Sequence, residues 1–343
     1  MEELFIVVVL IIILISILFG LIILYKRKKL PDNLIKQIKT IKNKNITRQY
    51  GPISIGIYEG TSLFNLGKPL HINNPVIKAE DVNDLDARFV ADPFVITKDG
   101  IYYMFFEVLE RESELGKIGY AESEDGYSWN YKKTVIDENF HLSYPYVFEY
   151  ENDLYMVPEG KTDLSVRLYK AINFPVEWRH EANLLEGDQF YDSSLFRYNN
   201  QWWMFTGTGQ HDTLHLYYSE NLSNGWTSHP MNPIIKENPH FARPGGRVLF
   251  LDEKIYRLAQ DCYPRYGIQL FAFEITELST DKYAEKLASE IPIIKGTGQG
   301  WNAEGMHHLD LVSNGDNLKV AVDGVEKRPL LYSIYSKLTS PYD

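Results

Sequence analysis

The chain has 343 residues, a formal net charge of −11, 44% hydrophobic and 14% aromatic residues, and a single cysteine, Cys262. The acidic balance, with no basic patch in the part after residue 50, excludes a general nucleic-acid binder. One cysteine excludes an intramolecular disulfide and a cysteine-rich zinc site.

Leu4 to Tyr25 carries no charge and is rich in Ile, Leu and Val. As a helix it would rise roughly 33 Å, enough to span a hydrocarbon core. Glu2-Glu3 precede it and Lys26-Arg27-Lys28-Lys29 follow, the reverse of a cleaved signal peptide. The expectation is a retained anchor over residues 1–29. The positive-inside rule puts the N-terminus outside and the remainder in the cytoplasm. Residues 30–50, with further lysines, read as a linker.

From residue 51 to 328 the chain repeats, which points to a repeat architecture. Asp92–Glu107, Tyr144–Glu159 and Asp192–Gly207 align without gaps. Each has a strand, a polar turn (Lys98-Asp99-Gly100, Glu151-Asn152-Asp153, Asn199-Asn200) and an aromatic strand, the pattern of a β-hairpin. Weaker copies begin at Gly245 and His308. A third strand follows four of the hairpins, at Lys117, Val166, Leu214 and Gly267. A Trp comes after three of these, at 129, 178 and 226. Short fourth strands centre on Val135-Ile136, Leu184-Leu185, Ile234-Ile235 and Ile293-Ile294. Residues 276–290 read as a short helix or a long loop.

The last hairpin lacks its outer strands. Ser54-IGIYEG and Asn74-PVIK at the front supply them. The predicted fold is therefore an all-β, five-bladed β-propeller closed by N-terminal strands and preceded by one transmembrane helix. Residues 329–343 are a tail.

The start of each blade's first strand lines the central channel of a propeller. Asp92, Tyr144, Asp192, the Arg243-Pro-Gly-Gly-Arg247 turn and His307-His308 converge there. Fifteen residues beyond the first strand's start, Glu107, Glu159, Gln260 and Asp323 close the adjoining strand. Two or three carboxylates with an Arg and a His suit glycosidic chemistry, in which one carboxyl protonates the leaving oxygen and another attacks or activates the acceptor. The catalytic expectation is Glu159 as acid, Asp92 as base or nucleophile, and Asp192 as modulator or sugar ligand. Tyr144, Arg243, Arg247, Gln260, His307 and His308 are expected to bind substrate. The competing readings are an Asp that caps a turn before Pro, and an Arg–carboxylate pair with a structural role. His307-His308 with Asp310 supplies too few ligands for a metal, so no metal and no cofactor is expected.

Ser54-IGIYEG, Phe89-VADPF, Ser143-YPYVFE with Met156-VPEG, Tyr191-DSS, Arg243-PGGR and Gly305-MHHLD together resemble the N-terminal domain of glucosamine inositolphosphorylceramide transferases over residues 50–325. More distantly, the domain resembles the propellers of the family 43 glycoside hydrolase clan. In that clan three acidic residues open inner strands of successive blades. Asp92 and Asp192 match such positions, Tyr144 stands where a third would be, and Glu159 lies elsewhere. In the plant transferases the transfer chemistry belongs to a separate C-terminal domain, so the resemblance supports glycan-related work, with a partner glycosyltransferase as the enzyme that a binding module would serve. The functional expectation is a membrane-anchored protein making or breaking a glycosidic bond in surface-glycan or glycolipid metabolism, its ligand a glycan, a glycolipid or a nucleotide sugar. The alternative is a non-catalytic propeller that binds such a ligand for the partner enzyme.

Overall fold

Four of the five hairpins turn on two successive residues with positive φ: Asp99-Gly100, Glu151-Asn152, Asn199-Asn200 and Asp252-Glu253. That conformation matches the right-handed twist of the strands it joins, and Asn, Asp and Gly adopt it most readily. The structure, a computed structural model, describes residues 52–327 except 316. The apolar run 4–25, its basic flank, the linker and the tail lie outside the described residues. Among the described residues no helix is long and apolar enough to cross a membrane.

The first strands are β1 (Ile53–Gly60) and β2 (Leu66–Gly67). Blade 1 then comprises β3 (Ala87–Lys98), β4 (Ile101–Glu110), β5 (Gly116–Ser123) and β6 (Asn130–Ile136). Blade 2 comprises β7 (Ser143–Tyr150), β8 (Asp153–Glu159), β9 (Ser165–Asn173) and β10 (Glu177–Glu186). Blade 3 comprises β11 (Tyr191–Tyr198), β12 (Gln201–Thr208), β13 (Thr213–Ser219) and β14 (Thr227–Ser228). Blade 4 holds β15 (Arg243–Pro244), β16 (Leu249–Leu251), β17 (Lys254–Asp261), β18 (Gln269–Leu278), β19 (Tyr283–Leu287) and β20 (Ile294–Lys295). Blade 5 begins with β21 (Leu309–Asn314) and β22 (Leu318–Val325). Its order is β2-β1-β22-β21. The N-terminal β1 pairs antiparallel with β22 along its whole length, from Ile53↔Val325 to Gly60↔Leu318. The ring is a five-bladed propeller closed as the sequence pattern predicts.

The outermost strands depart from expectation in two ways. Residues 276–290 are not a helix and only partly loop: they complete β18 and turn back as β19, which pairs with it. Tyr283 is buried there and hydrogen-bonds Glu285, which grips the buried Arg257. The segments at Asn74 and Ile234 are not full strands. In each, an Asn side chain does the work of a ladder. Asn74 accepts from Ile57 N at 2.9 Å and donates to Ile57 O at 2.8 Å, and Asn232 treats Leu216 in the same way at 2.8 and 2.6 Å. A single bridge follows each clamp, Ile55↔Ile77 and Leu214↔Ile235.

The core is a set of wedges between blades, because each sheet has two apolar faces to bury. Blades 1 to 3 share the largest wedge, built on Phe94, Phe105, Tyr146, Val147, Met156 and Met204. Trp178 of blade 2 packs edge-on against Phe105 of blade 1 at 5.5 Å. Trp226 joins the same wedge, and Trp129 joins the one between blades 5 and 1.

Candidate active site

Strand alternation alone leaves the channel side chains undetermined, and bulges settle them. In blade 1, Ala91 pairs with Glu107 but Phe94 pairs with Phe105, so β3 carries one extra residue. The same slip occurs between Ser143 and Tyr146, and between Tyr191 and Ser194. Asp92, Tyr144 and Asp192 occupy the bulges with φ of 54°, 48° and 47°. A buried tyrosine in the left-handed region is a strained residue that its surroundings must hold in place, and such residues cluster at functional sites. The bulge re-aims the side chain at each position.

These residues form layers down the channel. The upper layer holds Asp92, Glu107, Glu159, Asp192, Arg243, Gln260, His307 and Asp323, all buried. Arg243 is its hub. Its Nε lies 2.6 Å from Asp192 Oδ2, and its Nη2 lies 3.2 Å from Asp192 Oδ1 and from Glu159 Oε2. Its guanidinium sits between the rings of Tyr191 (5.0 Å) and Tyr266 (4.9 Å), and Nη1 meets His211 Nδ1. Gln260 Nε2 donates to Asp192 Oδ2 at 2.7 Å and to Pro244 O at 2.6 Å. On the opposite side His307 lies between Asp323 (3.0 Å) and Asp92 (3.4 Å). Asp323 also accepts the backbone N–H groups of His307, His308 and Asp92.

Tyr144, His308 and Phe94 make the floor, their rings 4.6–5.2 Å apart. Tyr144 is fully buried. Its hydroxyl contacts Ser194 Oγ at 2.8 Å, donates to Gly246 O at 2.9 Å and accepts Gly246 N–H at 2.7 Å. It ties blades 2, 3 and 4 together and has no polar atom left for a ligand. His308 Nε2 donates to Pro93 O at 3.0 Å. Below the floor Arg247 pairs with Asp310 at 2.9 Å, donates to Val147 O and stacks over Tyr146 at 4.8 Å. Arg247 is thus engaged in an Arg–carboxylate pair, the geometry its competing reading describes. Asp310, expected beside the histidines, is its partner.

The electrostatics of the upper layer separate its carboxyls. Burial pushes Glu107 well above the usual carboxylate range, and the charges of Asp92, Glu159 and Asp192 push it further. Burial would raise Asp92 as well, but His307, aided by His308 and Arg243, holds it below its ordinary value. Burial and the neighbouring Glu159 raise Asp192 against the pull of Arg243, because one guanidinium serves two carboxylates. Burial works against the charge on His307, yet Asp323 and Asp92 lift it to about 10. Asp92, His307 and Asp323 bring ligand atoms within 4.8 Å of one another, the one grouping among the described residues suited to a cation. A protonated His307 between the two carboxylates supplies the same compensating charge.

Of the expected site residues, Asp92, Glu159, Asp192, Arg243, Gln260 and His307 meet in the upper layer. Tyr144 and His308 lie beneath it and Arg247 lies lower still. Glu107 and Asp323 were not among the expected site residues, although the fifteen-residue offset marks their positions. Each sits on a blade's second strand beside the first strand's start, Glu107 paired with Ala91. An open cleft of about 380 Å³ does exist, but it runs along the edge of blade 1 between Glu122 and Lys132.

A family model for the N-terminal domain of glucosamine inositolphosphorylceramide transferase 1 matches residues 47–324. The chain belongs to this family. Among the family's curated members, glucosamine inositolphosphorylceramide transferase 1 of Oryza sativa subsp. japonica is 33% identical over 289 residues, covering 76% of this chain and 38% of its own length. The Arabidopsis thaliana protein of the same name is 33% identical over 303 residues, covering 80% of this chain and 39% of its own length. The chain thus spans about two-fifths of the length of the curated relatives it matches. Among solved structures, the catalytic domain of Coprinopsis cinerea GH62 alpha-L-arabinofuranosidase superposes with a TM-score of 0.54 at 13% identity, covering 80% of this chain and 98% of that one. A glycosyl hydrolase from Bacteroides ovatus gives 0.54 at 12% identity, covering 82% and 95%. At such identities the likeness shows the shared propeller fold alone.

Proposed function

We propose that the channel of this family member holds a glycan or glycolipid headgroup and acts on a glycosidic bond, with Glu107 as proton donor and Asp92 as base or nucleophile. One observation carries the reading. Two carboxyls on paired strands are displaced in opposite directions, Glu107 toward the acid and Asp92 toward the carboxylate. Paired groups whose surroundings push them apart are how one site holds an acid and a base at neutral pH. The acid role thus moves from Glu159 to Glu107, because Glu159 is spent on Arg243. Asp192 and Gln260 fix Arg243, and His307 keeps Asp92 ionised. The names of the curated relatives support a carbohydrate or glycolipid ligand. The apolar run at 4–25, with Lys26-Arg27-Lys28-Lys29 after it, supports a membrane anchor with the propeller on the cytoplasmic side, and the reading includes a partner glycosyltransferase.

The test uses the full-length protein and its Glu107→Gln, Asp92→Asn and Glu159→Gln variants. Each is incubated with aryl glycosides, nucleotide sugars and extracted glycolipids, and products are read by mass spectrometry. Loss of a general acid costs about 10²–10⁴-fold, so Glu107→Gln is expected to fall by that factor and Glu159→Gln by less. Undiminished product from Glu107→Gln would remove the acid assignment. A second reading, ligand capture without turnover, is favoured by how tightly Arg243 occupies Glu159 and Asp192. It predicts a ligand that raises the melting temperature while no product forms.

A further inference from the structure

His141 lies in the connection between blades 1 and 2 and turns back onto blade 1. Its Nδ1 accepts the backbone N–H of Gly116, the first residue of β5, at 2.9 Å. Leu142 N donates to Gly116 O at 2.9 Å, so the connection is tied to β5 at both polar groups of that glycine. While Nδ1 accepts a hydrogen bond it carries no proton, and the ring proton sits on Nε2. Nε2 lies 3.4 Å from Glu107 Oε1. Only glycine permits this approach. A Cβ at position 116 would come within 2.8 Å of Glu107 Oε1, 2.8 Å of His141 Cε1 and 2.2 Å of Leu142 O.

We infer that His141 is a positioning residue for Glu107: its Nε2–H engages Oε1, which leaves Oε2 as the oxygen that carries the acid proton and delivers it into the channel. In the transfer the Oε2–H bond breaks, a bond forms between that proton and the leaving oxygen, and the electron pair stays on the Glu107 carboxylate. The His141 N–H then stabilises the new charge on Oε1. The charged groups that weigh most on Glu107 are Asp92 on β3, Glu159 on β8, His307 before β21 and Asp192 on β11. Three of these are carboxyls, so His141 is set against a field that otherwise keeps the acid protonated. The catalytic half of this inference rests on Glu107 being the proton donor. The contact itself does not.

The experiment is an infrared pH titration of the full-length protein, following the C=O band of the protonated carboxyl that disappears in Glu107→Gln. A donor to the charged form lowers a carboxyl pKa. Removing it in His141→Phe is therefore expected to move the titration midpoint upward by about one pH unit. His141→Gln, whose amide N–H can donate in place of the imidazole, is expected to restore most of the shift. Gly116→Ala, which pushes the pair apart while keeping the imidazole, should move the midpoint upward as well and stands in should His141→Phe fail to fold. An unchanged midpoint in His141→Phe and Gly116→Ala would overturn the inference, as would equal midpoints for His141→Phe and His141→Gln. The titration needs no substrate, so its result is separate from that of the product assays.

Discussion

His307 stands between two buried channel carboxyls, Asp92 and Asp323. Its value of about 10 stands above the ordinary 6.5, so the charged imidazole is the form the fold favours. Stability from such a group is complete below about pH 6.5 and is lost as pH rises toward 10. Glu107, raised by burial and its acidic neighbours, adds loss in the same direction. Melting curves of the wild type are therefore expected to fall between neutral pH and pH 10. The curve of His307→Gln should start lower and fall less, narrowing the gap by roughly 5 °C. Parallel curves would show that His307 is not the titrating group. The identity of these residues is legible in the sequence, but their protonation is not. Asp92 and Glu107 differ because one faces His307 and the other lies among carboxyls, and that depends on contacts between residues more than 200 positions apart along the chain, Asp92 with His307 and Asp323 among them.

At the scale of elements, the repeated hairpin is the most legible feature, because a two-residue turn and two alternating strands are local. The bulge is less so. The repeat alignment brings Asp92, Tyr144 and Asp192 into register, and in the fold each sits at the extra residue of its strand. A shared register does not give a shared contact: Tyr144, aligned with two acids, pins the backbone of Gly246. Gly246 holds φ of 144°, and a Cβ there would meet Leu309 O at 2.0 Å, so blade 4 meets blade 5 through bare backbone at this point. Tyr144→Phe leaves the buried Gly246 N–H without its acceptor. The expected loss is about 1–3 kcal/mol in urea unfolding, and a neutral result would mean that the hydroxyl carries no weight. Asn74 and Asn232 teach a similar lesson. Their segments read as fourth strands because Pro-Val-Ile and Pro-Ile-Ile are apolar and β-branched, but an amide side chain that pairs like backbone makes a full strand unnecessary.

For the whole ring, stability rests on β1 reaching β22. Trp301 closes that seam. A Cβ on Gly56 would lie 2.5 Å from its Cη2 and one on Gly324 would lie 2.5 Å from its Cζ3, so the indole rests directly on the backbone of both strands. Asn302 donates to Tyr58 OH at 2.8 Å, and Glu304 N and Gly305 O bracket Val325 at 2.9 Å each. Trp301→Ala removes the ring from the joint and is expected to cost about 3 kcal/mol, read as a lower unfolding midpoint with the transition still cooperative. A variant as stable as the wild type would show that the eight-residue strand pairing closes the ring unaided. The half-blade missing from the C-terminal end and present at the N-terminal end was visible in the repeat pattern, because strands carry their periodicity wherever they pair.

The sequence by itself determined the blade count, the hairpin turns and the closing strand, and it pointed to the positions from which polar residues approach the channel, since all of these follow from local turn chemistry and a repeated spacing. Only the tertiary structure decided which of those residues share a layer. Arg243 gathers Asp192 and Glu159 from two other blades, Arg247 is withdrawn to Asp310, and Glu107 is left buried among carboxyls with His141 at its side. The physical reason is that spacing along a chain sets where a strand begins, whereas charge compensation in a buried channel depends on which strands the closed ring brings face to face.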